Sequence, residues 1–216
     1  MKITFIYHSA FLVETDKVAL LFDYFKGELP KIDKPLYVLS SHFHQDHFSP
    51  VIFNLPAKGY YLSDTIKQKQ VREDKLAITQ RLHVNETVKN EYFKFKTLGS
   101  TDSGLSFLVE LENKVFYHAG DNNVWYWDEN DKEMLNAFNK NIEAIKALDF
   151  AFFPIDPRLE AHSFDGIKAL VAKTKVNTVY PMHMWEQYEI VKTCQEEMKE
   201  QCIVKQITAP LWCEEI

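Results

Sequence analysis

Basic charge is in short supply in this 216-residue chain: 25 Lys and Arg stand against 31 Asp and Glu, a formal net charge of −6. Binding along a phosphate backbone needs a cationic surplus, so this balance argues against nucleic acid as the main substrate. Cysteine is scarce too. Its three residues, Cys194, Cys202 and Cys213, all lie near the C-terminus, far in sequence from the histidines. An odd count, with no secretory apolar segment at the start, predicts reduced thiols in a cytoplasmic protein. No apolar run approaches the roughly 20 residues of a membrane span. Repeats, low-complexity tracts and linkers are also lacking. These absences leave one soluble domain over residues 1–216, with 46% hydrophobic and 14% aromatic residues to build a substantial β-rich core.

What the chain does have is concentrated histidine. Of its eight histidines, three fall with a carboxylate in Ser41-His42-Phe43-His44-Gln45-Asp46-His47. Neutral imidazole and carboxylate are the ligands of zinc, iron and manganese sites. Two-residue spacing in extended backbone points His42 and His44 to the same side, so both can reach one ion. Asp46 and His47 follow where the chain turns and can face a second. The apolar, β-prone run at 35–40 reads as a buried strand. After the cluster, Ser49-Pro50 starts a helix, with Ser as N-cap and Pro at the first helical position. The cluster therefore occupies a strand-to-helix loop.

Strands are predicted at 3–7, 10–14 and 18–23 with a turn at 14–17, then at 60–62, 76–79, 86–88 and 92–98. Ser63-Asp64 reads as the cap of a short helix, and 105–111 pairs with 114–118 as a hairpin around Glu112-Asn113. A helix opens on the capping box of Asn130 and Glu133 and carries Met134, Leu135, Phe138, Ile142 and Ile145 on one face. A strand at 150–155 precedes a helix that Ser163 can cap, bearing Ile167, Leu170 and Val171. A strand at 176–181 precedes a last helix with Ile190, Val191, Cys194 and Met198 inward, and the tail after Cys202 is a candidate edge strand.

The H-x-H-x-D-H pattern of residues 42–47 resembles the signature of the metallo-β-lactamase superfamily. The chain is most similar to the branch that includes L-ascorbate-6-phosphate lactonase-like proteins and other metal-dependent hydrolases, from about Ile3 to about Trp185. The resemblance implies an α/β (α+β) protein, a four-layer αββα sandwich with its metals at one edge between the sheets. It implies His42 and His44 on one ion, and Asp46, His47, Asp121 and His183 on another. Asp121, in Ala119-Gly120-Asp121, would bridge the pair, and His183 follows the strand at 176–181. Asp23, ending an apolar strand, would sit behind the metal loop and hold its backbone and histidines. His8-Ser9 matches a motif near the metal edge, so His8 would touch substrate or orient a ligand, unless it is a hydrogen-bonded loop residue. His118 would lie behind the ligands or in the substrate pocket.

One departure stands out. The third histidine of the first site belongs in residues 99–104, where the glycines align Ser100 with it, and a hydroxyl is a poor zinc ligand. Three outcomes stay open: one ion held by the second set, two ions with Asp102 or water in the gap, or a displaced His8 or His162. Asp102 is the nearest replacement and otherwise a turn residue. Trp125 and Trp127 are candidates to wall the pocket or to pack under a loop. Arg158 is a candidate to grip an anionic group, with an ion pair to Asp156 or Glu160 as the structural alternative. His83 stands alone and receives no role.

The expected activity is metal-dependent hydrolysis. A metal lowers the pKa of bound water to about 7, and the resulting hydroxide would attack an ester, lactone or phosphodiester of a small, anionic substrate. Asp46 would orient or deprotonate the nucleophile, with His8 or His118 assisting the leaving group. Zinc is the expected cofactor, as one or two ions, with manganese or iron as substitutes. The expected partner is a small molecule, with no nucleic acid and no membrane; a homo-oligomer is left open. The alternatives are a nuclease or cyclic-nucleotide phosphodiesterase of the same fold, disfavoured by the lack of a basic extension, and a non-catalytic metal-binding homologue with a degenerate first site. A redox role is disfavoured by the lack of a flavodoxin-like partner domain.

Overall fold

The computed structural model describes residues 1–126 and 132–216, so Trp127 and the Asn130 cap lie outside the described residues. The first half of the chain supplies β1 (Lys2–Tyr7), β2 (Ala10–Glu14), β3 (Ala19–Phe22), β4 (Leu36–Ser40), β5 (Ala57–Ser63) and β6 (Thr79–Leu82). The second supplies β7 (Thr87–Lys89), β8 (Phe93–Gly99), β9 (Leu105–Leu111), β10 (Lys114–His118), β11 (Ala147–Pro154), β12 (Lys175–Met182) and β13 (Ile203–Val204), with β14 (Cys213–Glu215) last. Between them run α1 (Lys132–Ile142), α2 (Asp165–Lys173) and α3 (Ile190–Met198). The strands make two seven-stranded sheets, ordered β14-β1-β2-β3-β4-β5-β6 and β13-β12-β11-β10-β9-β8-β7.

Both sheets follow one wiring pattern. Strands β1, β2 and β3 are antiparallel neighbours, and β3, β4, β5 and β6 then run parallel. Strands β8, β9 and β10 repeat the antiparallel part, and β10, β11, β12 and β13 the parallel part. The outer strands β14 and β7 are antiparallel additions beside β1 and β8. In parallel strands every C-terminus lies at the same end, and ligand sites gather there.

Phe11 and Phe22 of the first sheet pack against Phe107, Phe116 and Phe152 of the second, with ring centroids 4.3–6.2 Å apart. Each buried ring adds about 1.5–3 kcal/mol of transfer free energy. Strand β3 explains why its run is apolar throughout: Leu20 and Phe22 face the other sheet, while Ala19 and Leu21 face an outer layer containing Ile52 and Phe53. A strand covered on both faces shows no alternation. The four layers are those of an αββα sandwich, although the layer outside the first sheet is built of short 3-10 helices. The helix after Ser49 is one of them, Pro50–Asn54, with the serine hydroxyl capping Val51 N–H as expected.

Several local expectations need correction. Residues 76–78 close a 3-10 helix (Glu73–Ile78), and the strand starts only at Thr79; Leu76 and Ile78 are exposed, so no core face draws them into the sheet. Ser63 shapes a turn by accepting Thr65 N–H instead of capping a helix, and the next helical turn is the three-residue 3-10 helix Gln68–Gln70. Ser163 caps the C-terminal end of the 3-10 helix Pro157–His162 rather than starting α2, because its hydroxyl donates back to the Glu160 carbonyl. The tail makes two edge strands, one on each sheet. Among the described residues no helix is long and apolar enough to cross a membrane.

Candidate metal centre

The metal loop hangs on Ser41. Asp23, fully buried just after β3, accepts Ser41 N–H (2.7 Å) on one oxygen and the Ser41 hydroxyl (2.6 Å) on the other. The Ser41 carbonyl accepts Leu105 N–H at 2.9 Å, tying the loop to the second sheet. That approach needs glycines at Gly104 and Gly120, with φ of 67° and 52°: an added Cβ would stand 2.2 Å from the Ser41 carbonyl oxygen or 2.7 Å from Ser41 Cβ. The His44 carbonyl then accepts N–H groups from His47 and Phe48, and this turn sends Asp46 and His47 away from His42 and His44.

Two clusters result, each with ligand atoms within 4.8 Å of one another: His42, His44, Asp102 and Asp121, and His8, Asp46, His47 and His183. Asp121 links them. Its Oδ2 lies 3.4 Å from His42 Nε2, while its Oδ1 lies 3.0 Å from His47 Nε2 and 3.4 Å from His183 Nε2. The wiring pattern accounts for the supply. Asp23, residues 42–47, Asp121, Asp156 and His183 follow the C-terminal ends of β3, β4, β10, β11 and β12. The equivalent β1–β2 and β8–β9 turns add His8 to one cluster and Asp102 to the other.

Hydrogen bonds fix how the imidazoles point. The Ser41 hydroxyl has one proton and gives it to Asp23, so at His42 Nδ1, 2.9 Å away, the serine oxygen must accept. His47 Nδ1 donates to Asp23 and His183 Nδ1 to Asp156, both at 2.8 Å. Each ring thus turns Nε2 inward. The Nε2 atoms of His8, His42, His47 and His183, with Asp121 Oδ1, are buried and lack a hydrogen-bond partner in the protein. Buried polar atoms are nearly always satisfied, so convergent ones facing each other fit a bound cation. Electrostatics agree. Burial disfavours charge on Asp121, yet His47 and His183 beside it hold its carboxyl well below the usual range. Burial also pushes the His42 imidazole down to about 3 and His8 to about 4, leaving both neutral as ligands must be. His8, Asp23 and His183 take φ of 55°, 44° and 63°, a backbone region non-glycine residues seldom occupy, and such strain gathers at functional sites.

Above the clusters opens a pocket of about 370 Å³, with His44, Asp46, Asp102, Asp121 and His183 at its floor and Trp125, Arg158 and Trp185 on its walls. Trp125 Nε1 donates to the Asp121 carbonyl. Arg158 makes the ion pair with Asp156 and stacks over Trp185, 4.4 Å from its centroid, so its guanidinium is held at the wall by the pairing that was its structural alternative.

The structure corrects three roles. His118 is fully buried, donates Nε2–H to the Ser9 carbonyl, accepts Gly120 N–H on Nδ1 and stacks on Phe22; no face remains for a leaving group. His8 joins Asp46, His47 and His183 in a ligand cluster, and does not complete the one that holds His42 and His44. Asp102 stands with His42, His44 and Asp121, while His162 pairs with Asp165 and joins neither cluster. Exposed His83 pairs with Asp64. Sequence reading missed Asp156 as the partner of His183. The signal was there, since the apolar run at 150–155 ends in an aspartate just as the run before Asp23 does.

Two mixed sheets with paired imidazole–carboxylate clusters at their shared edge define a candidate metal centre, and relatives of the chain are metal-dependent hydrolases. The chain belongs to the beta-lactamase superfamily: the model of the beta-lactamase superfamily domain matches residues 2–183. It is 30% identical over 207 residues to a UPF0173 metal-dependent hydrolase of Desulforamulus reducens, covering 85% of this chain and 84% of that protein. It is 27% identical over 225 residues to a UPF0173 metal-dependent hydrolase of Nanoarchaeum equitans, covering 97% and 95%. In fold it is similar to Igni18, a metallo hydrolase of Ignicoccus hospitalis, with a TM-score of 0.66 at 18% identity over 100% of this chain and 98% of that one.

Proposed function

We propose that the protein hydrolyses an ester, lactone or phosphodiester bond of a small, anionic substrate, with zinc at the centre. Asp121 carries this reading. Its two oxygens face different ligand clusters at the pocket floor, as a carboxylate spanning two ions about 3.5–4 Å apart requires. When bound, the metal supplies Lewis acidity and an activated water. Asp46 stands at the pocket floor; burial disfavours its charge, but His8 and His47 beside it together outweigh burial and keep its carboxyl below the ordinary range. Ionised and at the floor, it is placed to orient the attacking water.

Arg158 supports an anionic substrate, because a planar guanidinium suits carboxylate or phosphate and this one is fixed in place by Asp156 and Trp185. Trp125 and Trp185 supply the apolar wall that shapes a small-molecule cavity. The size of the pocket and the net charge of −6 both favour a small molecule over nucleic acid. Three unpaired cysteines support a reducing, cytoplasmic setting.

The test is turnover by zinc-loaded protein of a panel of carboxylic esters, lactones and phosphodiesters. Asp121→Ala and His183→Ala should each lose both bound metal and turnover. Full turnover by a variant that binds no metal would overturn the proposal.

A further inference from the structure

The two clusters are built from different materials. One offers three imidazoles and a carboxylate, His8, His47, His183 and Asp46; the other offers two of each, His42, His44, Asp102 and Asp121. They also differ in enclosure. The side chains of His8, His47 and His183 are 3%, 0% and 2% exposed with Asp46 at 29%, whereas those of His44 and Asp102 are 39% and 41% exposed with His42 and Asp121 at 0% and 7%. Support differs as well. His47 and His183 each rest Nδ1 on a buried carboxylate, Asp23 and Asp156. His44 has no such partner among the described residues; its Nδ1 faces only Asp102, 3.4 Å away and itself part of the cluster.

Each difference has a thermodynamic direction. Rings already fixed lose little freedom when they capture an ion, while two half-exposed side chains must first be ordered. Outer hydrogen-bond partners fix ring orientation and raise ligand basicity, which tightens binding. Imidazole favours zinc, and carboxylate suits manganese.

We propose that the two positions are unequal by construction: the His8, Asp46, His47 and His183 position keeps a resident ion, and the His42, His44, Asp102 and Asp121 position takes an exchangeable second ion. Asp102, from the turn equivalent to the one that carries His8, sets this inequality by standing where an imidazole would hold zinc harder. The two-ion state is then reached only when free metal is high enough to fill the weaker position. Its preference for zinc over manganese is narrower than that of the enclosed one. This rests on the two-cluster reading of the site.

The experiment strips the full-length protein with a chelator and titrates it separately with Zn²⁺ and Mn²⁺ by calorimetry. Metal content after gel filtration and Mn²⁺ paramagnetic resonance give readouts independent of turnover. Two binding classes are expected, the first equivalent surviving gel filtration and the second lost. Losing an outer partner costs about 10–100-fold in affinity, so removing a direct ligand should cost at least about tenfold. Asp102→Asn should therefore weaken only the second class, and His8→Gln only the first. Asp102→His should tighten the second class for Zn²⁺ and widen its zinc-to-manganese ratio. Two indistinguishable classes, or an unchanged second class in Asp102→Asn, would overturn the inequality. Failure of wild-type protein to bind either metal would instead sink the two-cluster reading itself.

Discussion

Asp156 accepts the Nδ1 proton of His183 at 2.8 Å from the end of β11, as Asp23 accepts that of His47 at 2.8 Å from the end of β3. Two carboxylates, one per sheet, thus aim two imidazoles at the same point. Asp156 carries more than its counterpart in one respect, for it also binds Arg158 and Trp185 Nε1. Burial disfavours its charge, but hydrogen bonds from His183 and Arg158 outweigh burial and hold its carboxyl below the ordinary range.

Asp156→Asn should therefore weaken metal binding by about 10–100-fold, the usual loss when a ligand's outer partner is removed. It should also loosen Arg158 and Trp185 at the pocket wall. Asp23→Asn should lower affinity similarly and destabilise the metal loop as well, since it gives up Ser41. Metal titration beside thermal melting separates the two effects. Wild-type affinity in Asp156→Asn would show that His183 needs no outer support.

Gly104→Ala should destabilise the fold. The new Cβ meets the Ser41 carbonyl oxygen at 2.2 Å, and a φ of 67° strains any L side chain. A backbone outlier of this kind costs about 1–3 kcal/mol before the clash is counted. Denaturant unfolding should show a lower midpoint with an unchanged slope.

His118→Gln should act on stability and not on chemistry. It strands the Ser9 carbonyl and the Gly120 amide, buried groups whose partner is worth about 1–3 kcal/mol each when lost. The pH profile of kcat in the folded variant should match that of the parent. A shifted profile would return His118 to the catalytic machinery.

Metal uptake should release protons. In the metal-free protein burial opposes charge on His47, but Asp121 and Asp23 on either side outweigh it and raise its pKa well above 6.5. That contribution to stability is present below pH 6.5 and is lost as pH climbs through the folded value. A cation must displace the Nε2 proton, so affinity should rise with pH, and calorimetry in buffers of different ionisation heat should count the proton. His8 and His42 work the other way. Lowered chiefly by burial to about 4 and about 3, they stay neutral in the fold while the unfolded chain protonates near 6.5. Metal-free protein should consequently lose stability as pH falls from 6.5 towards 4.

Local order was legible without coordinates because it depends on neighbours in the chain. The two-residue spacing of His42 and His44, the apolar runs that became β1 to β4, the hairpin of β9 and β10, and the aspartate ending β3 are all short-range patterns with short-range causes. The split of residues 42–47 into two directions also follows locally, from the turn closed on the His44 carbonyl. What tertiary structure alone decided is which side chains meet across long separations. It put His8 with Asp46, His47 and His183, set Asp102 beside His42, His44 and Asp121, turned Asp156 onto His183 and sealed His118 under Phe22. No periodicity encodes those encounters. They arise because two sheets with the same wiring pack face to face and bring their strand ends to a common edge, where burial and unpaired Nε2 atoms leave room for a cation.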